Sequence, residues 1–359
     1  MRIILDVMSG DNAPLALLEG AVRAAKEYSV NITIVGDEPL IRSLADEHKF
    51  DLSLLDIVHA PEVITMEDAA LSVVRGKPDS SMSIGLHMLA NGEGDAFVSA
   101  GNTGALLAGA TLIVRRIKGI HRAAIASVLP LSNPVLLMDS GANLEVTPTD
   151  LEQFAFMGSK YMEKIFDIAS PRVGLLNNGA ESTKGLELQR EAYKQLSFSE
   201  IDFVGNVEGK EVPLNVCDVV VTDGFTGNIL LKTIEGMGKF MSLTLTDMFK
   251  NGAQSALAYL LLKKQVKGIK RRMNASEYGG APFLGISKPV IKAHGSSDAL
   301  AIQNAIRQAI RFTESELNRD IALFAIDFDA RLKERKRMIQ EAEKAQAKED
   351  KLAKKRKTT

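Results

Sequence analysis

Short apolar runs alternate with amphipathic stretches along most of the chain. Runs at Arg2–Val7, Asn31–Gly36, Leu54–Ala60, Asp95–Ser99, Ala123–Leu129, Val135–Met138, Arg172–Leu176, Val219–Thr222 and Val290–Ala293 read as strands. Several are followed by Gly, Asn, Asp or Ser and then by helical periodicity. This rhythm predicts βα units around a largely parallel sheet, a three-layer α/β/α arrangement. CDVVVTDG (217–224) lacks polar alternation, as a strand covered on both faces should. Helix starts are also legible: Asn102 and Thr103 can cap a helix through Val114, and Thr149-Asp150, after Pro148, precede the run Leu151–Ile165. A lobe divide is expected near Met138–Asp150, but the loops there are short. Residues 1–328 therefore read as one α/β domain, and 329–359 as a charged helical or disordered tail.

One region breaks the rhythm. From Ile229 to Met273 the pattern is helical without a strand, interrupted near Asn251-Gly252, which predicts a projecting helical hairpin. Its second arm carries ALAYLLL (256–262) and then Lys263, Lys264, Lys267, Lys270, Arg271 and Arg272. An apolar tip with a cationic flank suits an anionic membrane surface. The same apolar face suits a helical bundle with a second copy of the chain, and the two readings are compatible.

Composition narrows the function classes. The 359 residues are 45% hydrophobic and 25% charged, so a core can be buried and whole-chain disorder is excluded. The single cysteine, Cys217, rules out a disulfide framework and fits a reducing compartment. No cationic segment precedes a long apolar stretch at the N-terminus, and no apolar run approaches membrane-spanning length; a cytoplasmic protein is expected. The net charge of −1 conceals a tail, 331–359, with 12 Lys/Arg against 5 Asp/Glu. The body is therefore acidic, which argues against nucleic acid as a partner.

Chemistry is expected in loops at the carboxyl ends of strands, where ligands of open α/β sheets bind. Six loops combine Gly with Asn, Ser, Thr or Asp ahead of a helix: DVMSGDNAP (6–14), SAGNTGALLAG (99–109), DSGAN (139–143), LLNNGAESTKG (175–185), TDGFTGN (222–228) and KAHGSSDA (292–299). Glycine permits close backbone approach, and helix starts offer N–H donors to an anion. If all six converge on one sheet edge, they form an anion pocket. No nucleotide P-loop, dinucleotide fingerprint, hydrolase nucleophile elbow or H-E-x-x-H zinc motif occurs, and Cys217 reads as a core residue on a strand. His294 and Lys184 stand out because each sits in a polar, Gly-containing loop, and Asp6 and Asp223 end strands beside Gly-rich turns. Such a pocket has a cation or two, many amides and hydroxyls, no covalent nucleophile and no metal or organic cofactor set. It suits phosphate chemistry in which the substrate supplies the nucleophile.

With DVMSGDNAP, SAGNTGALLAG, TDGFTGN, YGGAPFLG (278–285) and KAHGSSD in that order, residues 1–315 resemble the phosphate acyltransferase family of bacterial phospholipid synthesis (PlsX). Ser9 stands where that family's first loop usually has glycine, and Asn178 followed by GAESTKG departs from its lysine loop, although Lys184-Gly185 is kept. The resemblance implies a phosphotransacetylase- and isocitrate-dehydrogenase-like fold. It also implies a homodimer in peripheral contact with membrane, and acyl transfer from acyl-[acyl-carrier-protein] to inorganic phosphate. On that basis Lys184 is expected to hold phosphate charge. Asn228 and the Ser99–Thr103 loop, with Asn102, would donate to phosphate or to the oxyanion, and His294, Ser296 and Ser297 would complete the pocket. Asp6, Asn143, Asp223 and Thr226 are expected to line the phosphate site. The cationic arm Lys263–Arg272 competes between membrane contact and docking of an acidic carrier protein. The rival readings are a coenzyme A-dependent phosphotransacylase, a metal-dependent dehydrogenase on a similar fold, and a non-enzymatic membrane scaffold.

Overall fold

The computed structural model describes residues 1–131, 133–249, 253–272 and 279–357. The first half of the fold is built from β1 (Arg2–Asp6), α1 (Leu15–Tyr28), β2 (Asn31–Gly36), α2 (Glu38–His48), β3 (Leu55–His59), α3 (Ser81–Asn91), β4 (Ala96–Ser99) and α4 (Thr103–Gly109). Then follow β5 (Ala124–Leu129), β6 (Val135–Met138), α5 (Pro148–Phe166), β7 (Val173–Asn177), α6 (Glu187–Ser197), β8 (Phe203–Glu208) and β9 (Val219–Val221). The remainder is α7 (Gly224–Met248), α8 (Ala253–Arg272), β10 (Ala281–Leu284), β11 (Val290–Lys292), α9 (Ala299–Glu314) and α10 (Leu317–Lys357).

One 11-stranded sheet runs through the molecule in the order β3-β2-β1-β4-β11-β10-β5-β6-β9-β7-β8. The pairs among β3, β2, β1, β4 and β11 are parallel, as are those among β6, β9, β7 and β8. Strand β10 is antiparallel to both neighbours, and β5 is antiparallel to β6. The three-layer, mostly parallel arrangement expected from the apolar rhythm is therefore present. Its two halves point in opposite directions, with the reversal between β5 and β6, just ahead of the Met138–Asp150 segment.

That reversal corrects the expectation of a single edge. The carboxyl ends of β1, β4 and β11 face one way, and those of β6, β9 and β7 face the other. Two strands also escape the apolar-run reading. In β8 the pairing shifts beside Gly205, whose φ is +97°, so the run FVGNVE has no regular period. In β10 four residues include Pro282, which removes a ladder donor.

Buried strand residues such as Ile3, Leu5, Val98, Leu136 and Val219 form a core with the inner faces of α1, α5 and α9. A second cluster under α3 and α4 is centred on Phe97, against which Gly85 packs so closely that a Cβ would lie 2.3 Å from the ring. Helix caps follow the local chemistry, with one change of register. Asn102 Oδ1 accepts from Ala105 N at 3.0 Å as predicted, and the helix continues through Val114 in a wider turn. Helix α5 starts earlier than Thr149-Asp150, because Thr147 and Asp150 cap one another's backbone reciprocally and Pro148 takes the first turn.

The hairpin is present as α7 and α8, tied by the Phe249 and Tyr259 rings with centroids 5.4 Å apart. Asn251-Gly252 and Met273 lie outside the described residues, as do the side chains of Lys267, Lys270, Arg271 and Arg272. No helix of the described residues is long and apolar enough to cross a membrane. Helix α10 crosses position 328 without a break. Phe328 and Leu332 remain buried, and Arg335 pairs with Glu152 of α5.

Glu152 is 1% exposed and Arg335 11% exposed, so this pair fixes the proximal part of α10 on the body. Removing one partner leaves an uncompensated buried charge. Glu152→Ala should lower unfolding free energy by about 3–5 kcal/mol, whereas Glu152→Leu with Arg335→Met should recover most of that loss. Urea denaturation monitored by circular dichroism checks both.

Candidate functional site

A cavity of about 920 Å³ lies where the two halves of the sheet meet. The first half contributes Thr103, Lys292, His294, Ser296 and Ser297. The second contributes Ser140, Gly141 and Asn228, and β5 supplies Ile125 and Ser127 between them. One wall is α7, whose residues 228, 231, 232, 235, 239, 242 and 243 follow the helical repeat along one face. From Asn228 to Leu243 that face extends about 22 Å at 1.5 Å per residue. Asn228, His294, Ser296 and Ser297 supply polar lining, and Leu231, Leu243, Val128 and Pro130 supply apolar lining, interspersed on α7 with Lys232, Glu235, Lys239 and Ser242.

The Asn228 side is held by Asp139. This carboxylate is fully buried and accepts five N–H donors: the backbones of Ile125 (3.1 Å), Gly141 (3.1 Å), Ala142 (3.0 Å) and Asn143 (2.7 Å), and Asn143 Nδ2 (2.8 Å). Burial pushes the Asp139 carboxyl up from its ordinary range, and the donors pull against it. Helix α7 is seated on the same turn. Gly224 N donates to Asn143 O at 2.7 Å, and a Cβ on Gly227 would lie 1.9 Å from Asp139 O. The glycines of TDGFTGN thus serve close contact between helix and turn, which carries Asn228 to Gly141: a Cβ on Gly141 would sit 3.7 Å from the Asn228 side chain.

The His294 side rests on β1, β4 and β11. Asp6, Ser99 and Lys292 are in register across these three parallel strands. Asp6 accepts from Ser81 Oγ (2.7 Å), Ser99 Oγ (2.8 Å) and Met8 N (3.1 Å), all within the interior. Lys292 Nζ donates to Ala100 O at 3.1 Å and to Ala293 O. Burial lowers the Lys292 ammonium to about 8, opposed by the Asp6 charge. His294 Nδ1 accepts from Ser296 N at 3.2 Å and lies 2.9 Å from Ser296 Oγ, which leaves the ring proton on Nε2. Partial desolvation and the Lys232 ammonium hold its imidazole below the usual range.

The structure gathers part of the expected set. Thr103, Asn228, His294, Ser296 and Ser297 line the one cavity. Asp6 and Ser99 lie behind it, beneath Lys292. Asn102 caps α4, and its Nδ2 donates to the carbonyls of Thr65, Met66 and Asp68, pinning the loop that puts Met66 on the cavity wall. Asp223 caps α7 by accepting from Thr226 N and Oγ1, both at 2.8 Å, while Asn143 is consumed by Asp139 and Ala123 O. Lys184 is not brought to the cavity. It is exposed in the β7–α6 loop, where its N–H donates to Glu181 O and its carbonyl accepts from Asn177 Nδ2.

Lys292 and Asp139 escaped the sequence reading. Lys292 heads the KAHGSSDA motif but follows two apolar strand residues, so it resembles a strand-end lysine. Asp139 opens DSGAN, yet only the fold shows its five donors. Cys217 lies in the core, its thiol pushed up by burial to about 12. Among the described residues no three His, Cys, Asp or Glu side chains gather into a metal-ligand set.

Similarity to known proteins follows this geometry. In overall fold the chain is similar to a phosphotransacetylase from Streptococcus pyogenes, with TM-score 0.57 and 18% identity, covering 88% of this chain and 94% of that one. It is similar to the EutD phosphotransacetylase from Staphylococcus aureus with TM-score 0.52 and 16% identity, over 88% and 94% of the two chains. In sequence it is 46% identical over 319 residues to a phosphate acyltransferase from Thermoanaerobacter pseudethanolicus, covering 88% of this chain and 95% of the relative. It is 43% identical over 326 residues to one from Clostridioides difficile, covering 90% and 96%. The family model described as "Fatty acid synthesis protein" matches residues 1–319, the whole of the sheet with its covering helices. With that match and this identity along nearly the full length of its relatives, the chain belongs to the phosphate acyltransferase family.

Proposed function

We propose that the protein transfers a fatty acyl group from acyl-[acyl-carrier-protein] to inorganic phosphate, giving acyl phosphate for phospholipid synthesis. The observation that carries this reading is one cavity that brings Asn228, His294, Ser296 and Ser297 together with the apolar side chains of Leu231 and Leu243 on α7. A thioester is already activated, so the cavity needs no covalent nucleophile. A phosphate oxygen attacks the carbonyl carbon, a C–O bond forms, the C–S bond breaks, and the carrier thiolate leaves and takes up a proton. The protein's part is to hold a hydrated anion against the acyl carbon and to stabilise the oxyanion. Asn228 Nδ2 and the Nε2–H of His294 are suited to the second task, and Thr103, Ser296 and Ser297 to phosphate. The acyl chain lies along Leu231 and Leu243 of α7.

The hairpin supplies the partners. Met237, Phe240 and Met241 on α7 and Leu260, Leu261 and Leu262 on α8 are exposed, with Leu261 at 75%. We infer that this face meets a second copy of the chain and an anionic lipid surface, with the protein otherwise cytoplasmic.

The direct test is incubation with long-chain acyl-carrier protein and phosphate, assayed for acyl phosphate; none formed would end the reading. Asn228→Ala should lower kcat roughly 10²-fold with the fold intact by circular dichroism. A near-wild-type rate removes Asn228 from oxyanion stabilisation. Leu260→Glu with Leu261→Glu should lower the mass measured by light scattering, the sedimentation with anionic vesicles, or both. If neither changes, the hairpin tip is not a contact surface.

A further inference from the structure

We propose that Lys292 is the cation that receives inorganic phosphate, and that Asp6, two strands away, positions its charge; this rests on the acyl-transfer reading above. Lys292 is the last residue of β11, and the two residues that follow, Ala293 and His294, line the cavity with it. An ammonium has three N–H donors. Two are taken by Ala100 O and Ala293 O, which carry no formal charge, and one is left for a ligand oxygen. No carboxylate of the described residues forms an ion pair with Lys292. The other two cavity lysines stand on α7: Lys232 has Glu235 Oε2 at 2.8 Å and is half-exposed, and Lys239, farther along the helix, is exposed. A partly buried ammonium held only by carbonyls is short of negative charge, and a bound phosphate supplies it.

Asp6 does not supply it directly. Its oxygens accept from Ser81, Ser99 and Met8, and Ser99 stands between it and Lys292 in the strand register. Its carboxylate therefore acts at a distance, favouring the charged lysine without occupying the site. The other charges facing Lys292 are Asp11 from the β1–α1 loop, which favours the ammonium, and Lys232 from α7, which opposes it. His294 adds no charge while its Nδ1 accepts from Ser296 N–H.

The phosphate end of the reaction then belongs to the first half of the sheet, at Lys292, Thr103 and Ser297. The second half brings Asn228 to the acyl carbonyl. Lys184 takes no direct part in holding phosphate.

The test measures phosphate kcat and KM from pH 6 to 10 with saturating acyl-carrier-protein donor. For the wild type, kcat/KM for phosphate should fall as pH rises through about 8, where the Lys292 ammonium loses its proton. Lys292→Met should raise phosphate KM roughly 10- to 100-fold, leave the donor KM unchanged and abolish that alkaline limb. Lys292→Arg should retain phosphate binding and move the limb beyond the measured range. Asp6→Asn should shift the limb to lower pH, a change that structural damage alone does not produce. A Lys292→Met enzyme with wild-type phosphate KM and an unchanged limb overturns the proposal, as does a larger rise in phosphate KM from Lys184→Ala. If the wild type forms no acyl phosphate, the functional reading fails and phosphate binding decides Lys292 separately. A rise in Tm with millimolar inorganic phosphate that Lys292→Met abolishes retains the site, while no rise, or the same rise in both, rejects it.

Discussion

The buried carboxylate of Asp139 is the interaction on which the cavity depends. Five N–H groups converge on it from β5 and from the turn after β6, and the outcome is a tight loop whose far side has no freedom to drift. Isolated, such a charge would be expelled or neutralised; five donors let it remain. The loop then serves as a seat for α7, which approaches through Gly224 and Gly227 because any side chain there would strike Asn143 or Asp139. The placement of Asn228 is thus a consequence of backbone contact, fixed before any ligand arrives. A donor held in advance loses little when charge develops next to it, and oxyanion stabilisation requires that condition.

The opposite wall solves the converse problem. Asp6, Ser99 and Lys292 cross three neighbouring parallel strands at one level, so a charged row is built into rigid sheet and not into loops. The two walls come from halves of the sheet that run in opposite directions across the reversal between β5 and β6. In a uniformly parallel sheet the carboxyl ends of β4, β11 and β9 would share one edge. Here they point opposite ways, and β10, β5 and β6 join the two halves at the crevice.

The layered fold and most strands were legible in the sequence because buried strands need apolar runs and capped helices need Asn, Thr or Asp at their starts. The reversal of direction was not, because an apolar run has the same composition whichever way it points. The polar loops were legible as a set, but their division was hidden. Asn143, Asp223 and Asn102 have the same composition as ligand-binding residues, yet each spends its hydrogen bonds within the protein, fixing a turn or a helix start. Lys184 looked distinctive because its loop is polar, whereas Lys292 looked ordinary because it follows two apolar strand residues. Burial separates the two lysines, Lys292 partly buried at the cavity and Lys184 exposed, and burial is a property of the assembled sheet.

Helix α7 joins the two requirements of a fatty substrate in one element. Its first turn is clamped on Asp139, where atoms must be held to a fraction of an ångström. Its middle presents Leu231 and Leu243 to the cavity among Lys232, Glu235, Lys239 and Ser242. Between those two leucines, Met237, Phe240 and Met241 are exposed, as are Leu260, Leu261 and Leu262 of α8. On the proposed reading an acyl chain taking up the roughly 22 Å of that wall, at 1.5 Å per helical residue, would lie parallel to the helix. In this proposal the same helix aligns the reacting carbonyl with the polar end of the cavity and runs the hydrocarbon toward exposed apolar residues of the hairpin. On that reading a chain too short to reach Leu243 forgoes apolar burial worth about 0.8 kcal/mol per methylene, so the proposed site would discriminate by chain length through lost contact and not through a steric block.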